Sequence, residues 1–118
     1  MSTTLTDAER AYIEAAFWTA ADDEGEPLAD DATVDDLNDL PGFLAELRAF
    51  IEGNADLIAR SGLPMSQVGH DFSLTRNGHG AGFWDRGLGQ IGQDLTEACR
   101  PYGETYIYRG DDGRLYWA

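Results

Sequence analysis

Eighteen consecutive residues, from Asp22 to Asp39, hold nine carboxylates and no Arg or Lys. They are Asp22, Asp23, Glu24, Glu26, Asp30, Asp31, Asp35, Asp36 and Asp39. Like charge at this density repels itself and cannot enter a core, so such a block is left disordered or shown to solvent as a surface. Segments patterned to fold lie on both sides of it. The block is therefore expected to be presented by a folded body.

That body can be sizeable. The chain has 118 residues, of which 42% are hydrophobic. This fits one domain, residues 1–118, burying roughly two-thirds of its unfolded surface. The formal net charge is -14 and it is lopsided. Residues 1–59 carry 15 acids and two Arg, whereas residues 60–118 carry seven acids and six Arg. Such a charge repels nucleic acid and anionic membranes and attracts basic surfaces. Cys99 is the only cysteine, so no internal disulfide can form. Met1 to Thr6 is polar, without a basic stretch leading into an apolar one, and no apolar run approaches the ~20 residues of a membrane span. The expected setting is cytoplasmic.

The first half reads as helical. Thr6-Asp7-Ala8-Glu9 has the form of a capping box. Tyr12, Ile13, Ala16, Phe17 and Ala20 then recur at helical spacing to about Ala21. Thr33 is placed to cap a short second helix with Val34, Leu37 and Leu40 inside. Pro41-Gly42 marks a break or a first turn. A third helix is expected from Phe43 to about Arg60, bent at Gly53-Asn54 and closed by Gly62, with Glu46, Glu52 and Asp56 on its outer side.

The second half changes character. Ser66 is placed to cap a short helix carrying Val68, Phe72 and Leu74 irregularly. Six glycines between Gly78 and Gly92 exclude a simple helix there. Ile91, Leu95, Ala98 and Cys99 outline a helix from about Leu88 to Arg100, stopped by Pro101. Thr105 to Tyr108 and Leu115 to Trp117, around Gly110-Asp111-Asp112-Gly113, read as a β-hairpin. A lone hairpin is marginal in water, so this one must pack on the helices or pair further. The fold class is thus α+β, mainly helical with about four to five helices and a C-terminal hairpin.

Two other groups compete with the acidic block for attention. His70, Asp71, Arg76, Asn77, His79, Asp85 and Arg86 cluster around the glycines. His70, His79 and Asp85 supply three potential metal ligands, which would make a metal-dependent enzyme, but their spacing fits no established zinc pattern. A buried network joining Arg76 or Arg86 to Asp71 or Asp85 is the expected use. No catalytic residue, metal or cofactor is assigned. The aromatics Tyr102, Tyr106, Tyr108, Tyr116 and Trp117 suggest a stacking platform, which would need basic surroundings. Glu104, Asp111 and Asp112 oppose that, so cross-strand pairing against the helices is expected instead.

The pieces GHDF, LTRN, HGAGFWDRGLG and a tail of the form YGE…Y.GDDG..Y, between Gly69 and Trp117, resemble a group of small acidic proteins of phages, prophages and plasmids. The resemblance covers about the C-terminal 40% of the chain and carries no assigned chemistry. It implies a mobile-element setting inside a bacterial host. Small acidic proteins of that setting resemble anti-restriction and anti-CRISPR proteins that imitate DNA.

Together these readings give an expected function: inhibition of a host defence complex by occupying its basic DNA channel. The partner would be a basic nucleic-acid-binding protein, with no direct nucleic-acid or membrane binding. The binding residues would be the nine acids above together with Glu46, Glu52 and Asp56. A phage structural or adaptor protein is the remaining alternative, and a stable homo-oligomer would be its sign.

Overall fold

A computed structural model of the chain describes residues 5–19, 37–78, 82–109, 111–112 and 114–118. Among them are five α-helices: α1 (Asp7–Thr19), α2 (Leu40–Gly53), α3 (Ala55–Ser61), α4 (Met65–Arg76) and α5 (Gln90–Cys99). Single 3-10 turns cover Phe83–Asp85 and Arg100–Tyr102. The strands β1 (Ile107–Arg109) and β2 (Leu115–Trp117) form an antiparallel hairpin. The α+β class expected from the sequence is what the chain adopts.

The capping box forms as its residue types require. The Thr6 amide donates to Glu9 Oε1 at 2.9 Å and the Glu9 amide donates to Thr6 Oγ1 at 3.1 Å. Each bond satisfies a backbone donor that the helix itself leaves orphaned. The bend at Gly53-Asn54 is a full break between α2 and α3, and Gly62 ends α3 in the left-handed region at φ 72°.

Two boundaries differ from expectation. Leu37 is not helical; it forms a parallel bridge with Leu115 of β2. Asp39 is left-handed at φ 55° and caps α2, whose first turn holds Pro41. Residues 33–36 of the expected second helix lie outside the described residues. Ser66 does not cap α4: Pro64 does, in an extended conformation, and the helix opens two residues earlier. Helix α5 ends at Cys99, ahead of Pro101 as expected, and a separate 3-10 turn, which tolerates the missing proline amide, carries the chain on to Tyr102.

Helix α4 is the central post. Val68, Gly69 and every residue from Asp71 to Asn77 are buried. It packs along α1 so closely that a methyl group on Gly69 would overlap the Ala8 carbonyl. Around Phe72 the core is aromatic. Phe72 stacks on Phe50 at 4.5 Å and lies 5.5 Å from Tyr12, which itself stacks on Phe43 at 4.7 Å. Rings at such separations add to the gain from buried area.

The hairpin pairs further and packs on the helices. The Asn38 amide donates to Leu115 O at 2.8 Å, which extends the sheet by a bridge. Trp117 lies 5.7 Å from Phe43 and donates its indole N–H to Asp39 O at 3.1 Å. Beyond the strand ends, Tyr106 and Ala118 exchange two backbone bonds of 3.0 Å.

Candidate functional site

The polar cluster of α4 resolves into two clamps. In the first, Asp71 is fully buried and receives Arg86 in a two-pronged grip: Nε reaches Oδ2 at 3.0 Å and Nη2 reaches Oδ1 at 2.8 Å. Gln67 donates to Asp71 Oδ1 at 2.7 Å. His70 Nδ1 lies 3.5 Å from the same oxygen without a hydrogen-bond partner. The hydrogen bond to Asp71 holds the Arg86 guanidinium above its ordinary pKa, against the cost of burial. This pairing is one of those the sequence allowed.

In the second clamp the Arg76 side chain is 1% exposed. Its Nε donates to Gly103 O at 2.8 Å and its Nη1 to the Tyr12 hydroxyl at 3.1 Å. Its Nη2 reaches Tyr102 O at 2.9 Å and Glu46 Oε1 at 3.3 Å. The guanidinium also lies 5.3 Å from the centre of the Phe72 ring. Arg76 therefore pairs with Glu46 and not with Asp71 or Asp85. Burial pushes the Tyr12 phenol up to about 12, so it is a neutral acceptor for Arg76. Two neighbours complete the pattern. Thr75 Oγ1 accepts from the Phe83 amide at 3.0 Å, and Asn77 Oδ1 accepts from the Thr105 amide at 2.8 Å.

Asp71, Thr75, Arg76 and Asn77 thus hold distant segments of the chain against α4. Asp71 holds the glycine-rich loop at Arg86, Thr75 holds Phe83, Arg76 holds the turn before the hairpin, and Asn77 holds the approach to β1. Among the described residues no three of His, Cys, Asp and Glu are grouped to hold a metal ion. His70 and Asp85 are described, with Asp85 exposed; His79 lies outside the described residues.

The acidic residues divide. Asp22, Asp23, Glu24, Glu26, Asp30, Asp31, Asp35 and Asp36 lie outside the described residues. Four are described. Asp39 accepts from the Gly42 amide at 3.3 Å as the cap of α2. Glu46 faces Arg76. Glu52 is exposed beside the start of α1, in a cleft of about 440 Å³ shared with Thr6, Ala8, Ile51 and Met65. Asp56, with its side chain 89% exposed, lies 3.8 Å from Arg60. Six residues of helix turn Glu52 roughly 120° away from Glu46. Glu52 and Asp56 meet solvent, while Asp39 caps α2 and Glu46 reaches Arg76.

The hairpin aromatics also divide. Trp117 and Tyr102 pack inward, on Phe43 and Phe72. Tyr106 and Tyr108 face solvent at 47% and 46% exposure. Tyr108 stacks on Tyr116, with ring centres 5.9 Å apart. The expected cross-strand pair exists, yet it stands on the outer side of the ribbon and not against the helices.

No helix among the described residues is long and apolar enough to cross a membrane. Comparison with protein-family models, with curated proteins and with solved structures finds no match.

Proposed function

We propose that the protein is an electrostatic inhibitor: a folded carrier of a dense acidic segment that occupies the basic DNA channel of a host defence complex, of the restriction or CRISPR kind. The observation that supports this reading is the charge distribution. Eight carboxylates and no cation fall between residues 20 and 36, and α1 and the Leu37–Leu115 bridge fix the chain on either side of them. Duplex DNA presents one charge per ~1.7 Å of its axis, and channels that bind it are lined with Arg and Lys. A tethered run of carboxylates competes for those cations without any base chemistry. Glu52 and Asp56 add exposed negative charge on the α2–α3 side.

The test is competition for duplex binding by restriction and CRISPR effector complexes. Inhibition should fall as salt rises from about 50 to about 200 mM, because the contacts are ionic. Reversing four charges together (Asp30→Lys, Asp31→Lys, Asp35→Lys, Asp36→Lys) should abolish inhibition while the melting temperature holds. A folded variant that inhibits as well as its parent would refute the reading, as would retention of duplex DNA by the protein itself.

A further inference from the structure

The outer face of the hairpin holds more aromatic surface than the sheet requires. Alternation along a strand sends Tyr106 and Tyr108 to one side, and register sets Tyr116 opposite Tyr108. On the other side Ile107 and Leu115 are buried. The Tyr108–Tyr116 stack supports strand pairing. Tyr106 has no such reason to be aromatic, for it pairs with Ala118 and leaves its ring half exposed. Carboxylates frame this face: Glu104 at the approach to β1, and Asp111 and Asp112 at the turn, all exposed. Asp112 Oδ2 accepts the Tyr116 hydroxyl at 2.6 Å. From Glu104 to Arg114 the sequence holds three acids and two arginines. Leu37, the residue after Asp36, bridges to Leu115 on the edge of β2.

Exposed tyrosine rings with carboxylates at their rim suit one side chain above others. A guanidinium lies flat on an aromatic face, keeps its charge against the ring's negative quadrupole and turns its N–H groups outward to carboxylates. We propose that Tyr106, Tyr108 and Tyr116, rimmed by Glu104 and Asp112, form a docking face for arginine side chains of a basic protein partner. The face rests on the reading that the partner is basic. It adds a preference for arginine over lysine that a run of carboxylates does not provide.

The experiment titrates the full chain at low salt with two probes, deca-arginine and deca-lysine. The parent should favour deca-arginine by about tenfold, the worth of two exposed cation–π contacts. Tyr106→Ala with Tyr108→Ala should bring the two affinities together, while Tyr106→Phe with Tyr108→Phe, which keep the rings, should preserve the ratio. Should the double alanine variant melt early, Tyr106→Ala alone, which breaks no ring stack, should lower the ratio about threefold. The charge-reversed segment (Asp30, Asp31, Asp35 and Asp36 to Lys) should weaken both peptides equally and leave the ratio intact. A ratio unchanged in the alanine variant would overturn the docking face and leave the acidic segment standing. If segment reversal leaves both affinities intact while the alanine variant still equalises them, the acidic-segment reading fails and the face survives. A parent dimer that the alanine variant dissociates, or oligothymidine binding lost with the rings, would assign the face to another occupant and overturn the proposal.

Discussion

Arg86 grips Asp71 through two nitrogens, at 2.8 and 3.0 Å, across fifteen residues of sequence. The carboxylate is wholly buried while the guanidinium side chain keeps 28% of its exposure. The pair pins the glycine-rich loop to the central helix with one charged contact and leaves only the arginine partly in water.

Removing the outer partner should therefore be costly. Arg86→Ala leaves Asp71 buried without its counter-charge and should lower stability by about 3 kcal/mol. Asp71→Asn alone should cost less, since the amide keeps a hydrogen-bonding role. A double-mutant cycle by urea denaturation should return a coupling of at least ~1 kcal/mol. Additive single effects would show that the pair does not hold the loop.

Two glycines should respond oppositely to the same change. Gly69→Ala sets a methyl against the Ala8 carbonyl, and backbone on both helices cannot yield without separating α1 from α4. A loss of about 3 kcal/mol is expected. Gly53→Ala meets nothing within 4 Å and should gain about 0.5 kcal/mol by restricting the unfolded chain. Thermal melting of both variants against the parent decides this.

Glu9 should shape the acid limb of the stability curve. Burial pushes its carboxyl upward, but the Thr6 amide and the Arg48 guanidinium, with Nε 2.6 Å from Oε2, together hold it below its ordinary value of 4.5. A lowered folded pKa adds stability that is fully present above 4.5 and is lost as pH falls through the folded value. Glu9→Gln should thus be less stable than the parent at pH 7 and lose less between pH 5 and pH 3 in a denaturation series. Parallel curves for the two proteins would rule out this role for Glu9.

Cys99 should be chemically silent in the folded state. It is buried, and burial pushes its thiol up to about 12. At pH 8 the thiolate fraction is on the order of one in ten thousand. An aromatic disulfide reagent should react only as urea unfolds the chain, with the reaction following the unfolding transition. Rapid labelling of native protein would contradict the packing of α5.

Much of the architecture was legible before any coordinates. The Thr6–Glu9 box, the break at Gly53-Asn54, the left-handed Gly62 and the hairpin around Asp111-Asp112 are local devices, and their chemistry is complete within a few residues. Helix α4 was harder to read. Its apolar residues follow no stripe because it is enclosed on nearly every side, and a surrounded helix has no solvent face to set a period. Leu37 misled for a related reason. Its spacing from Leu40 suits a helix, but the competing partner, Leu115, lies 78 residues on and is invisible to any local pattern.

Charge and periodicity, which need no partner to act, fixed the α+β class, the run of carboxylates, the Thr6–Glu9 box and the Gly62 cap. Tertiary packing decided what each charged or aromatic side chain faces. The fold drew Glu46 to Arg76 and Asp71 to Arg86, set Asp39 to capping, and left Tyr106 and Tyr108 in solvent. The physical reason is that burial acts only where distant segments meet. Whether a carboxylate is a surface charge or half of an internal pair depends on which guanidinium the fold carries to it.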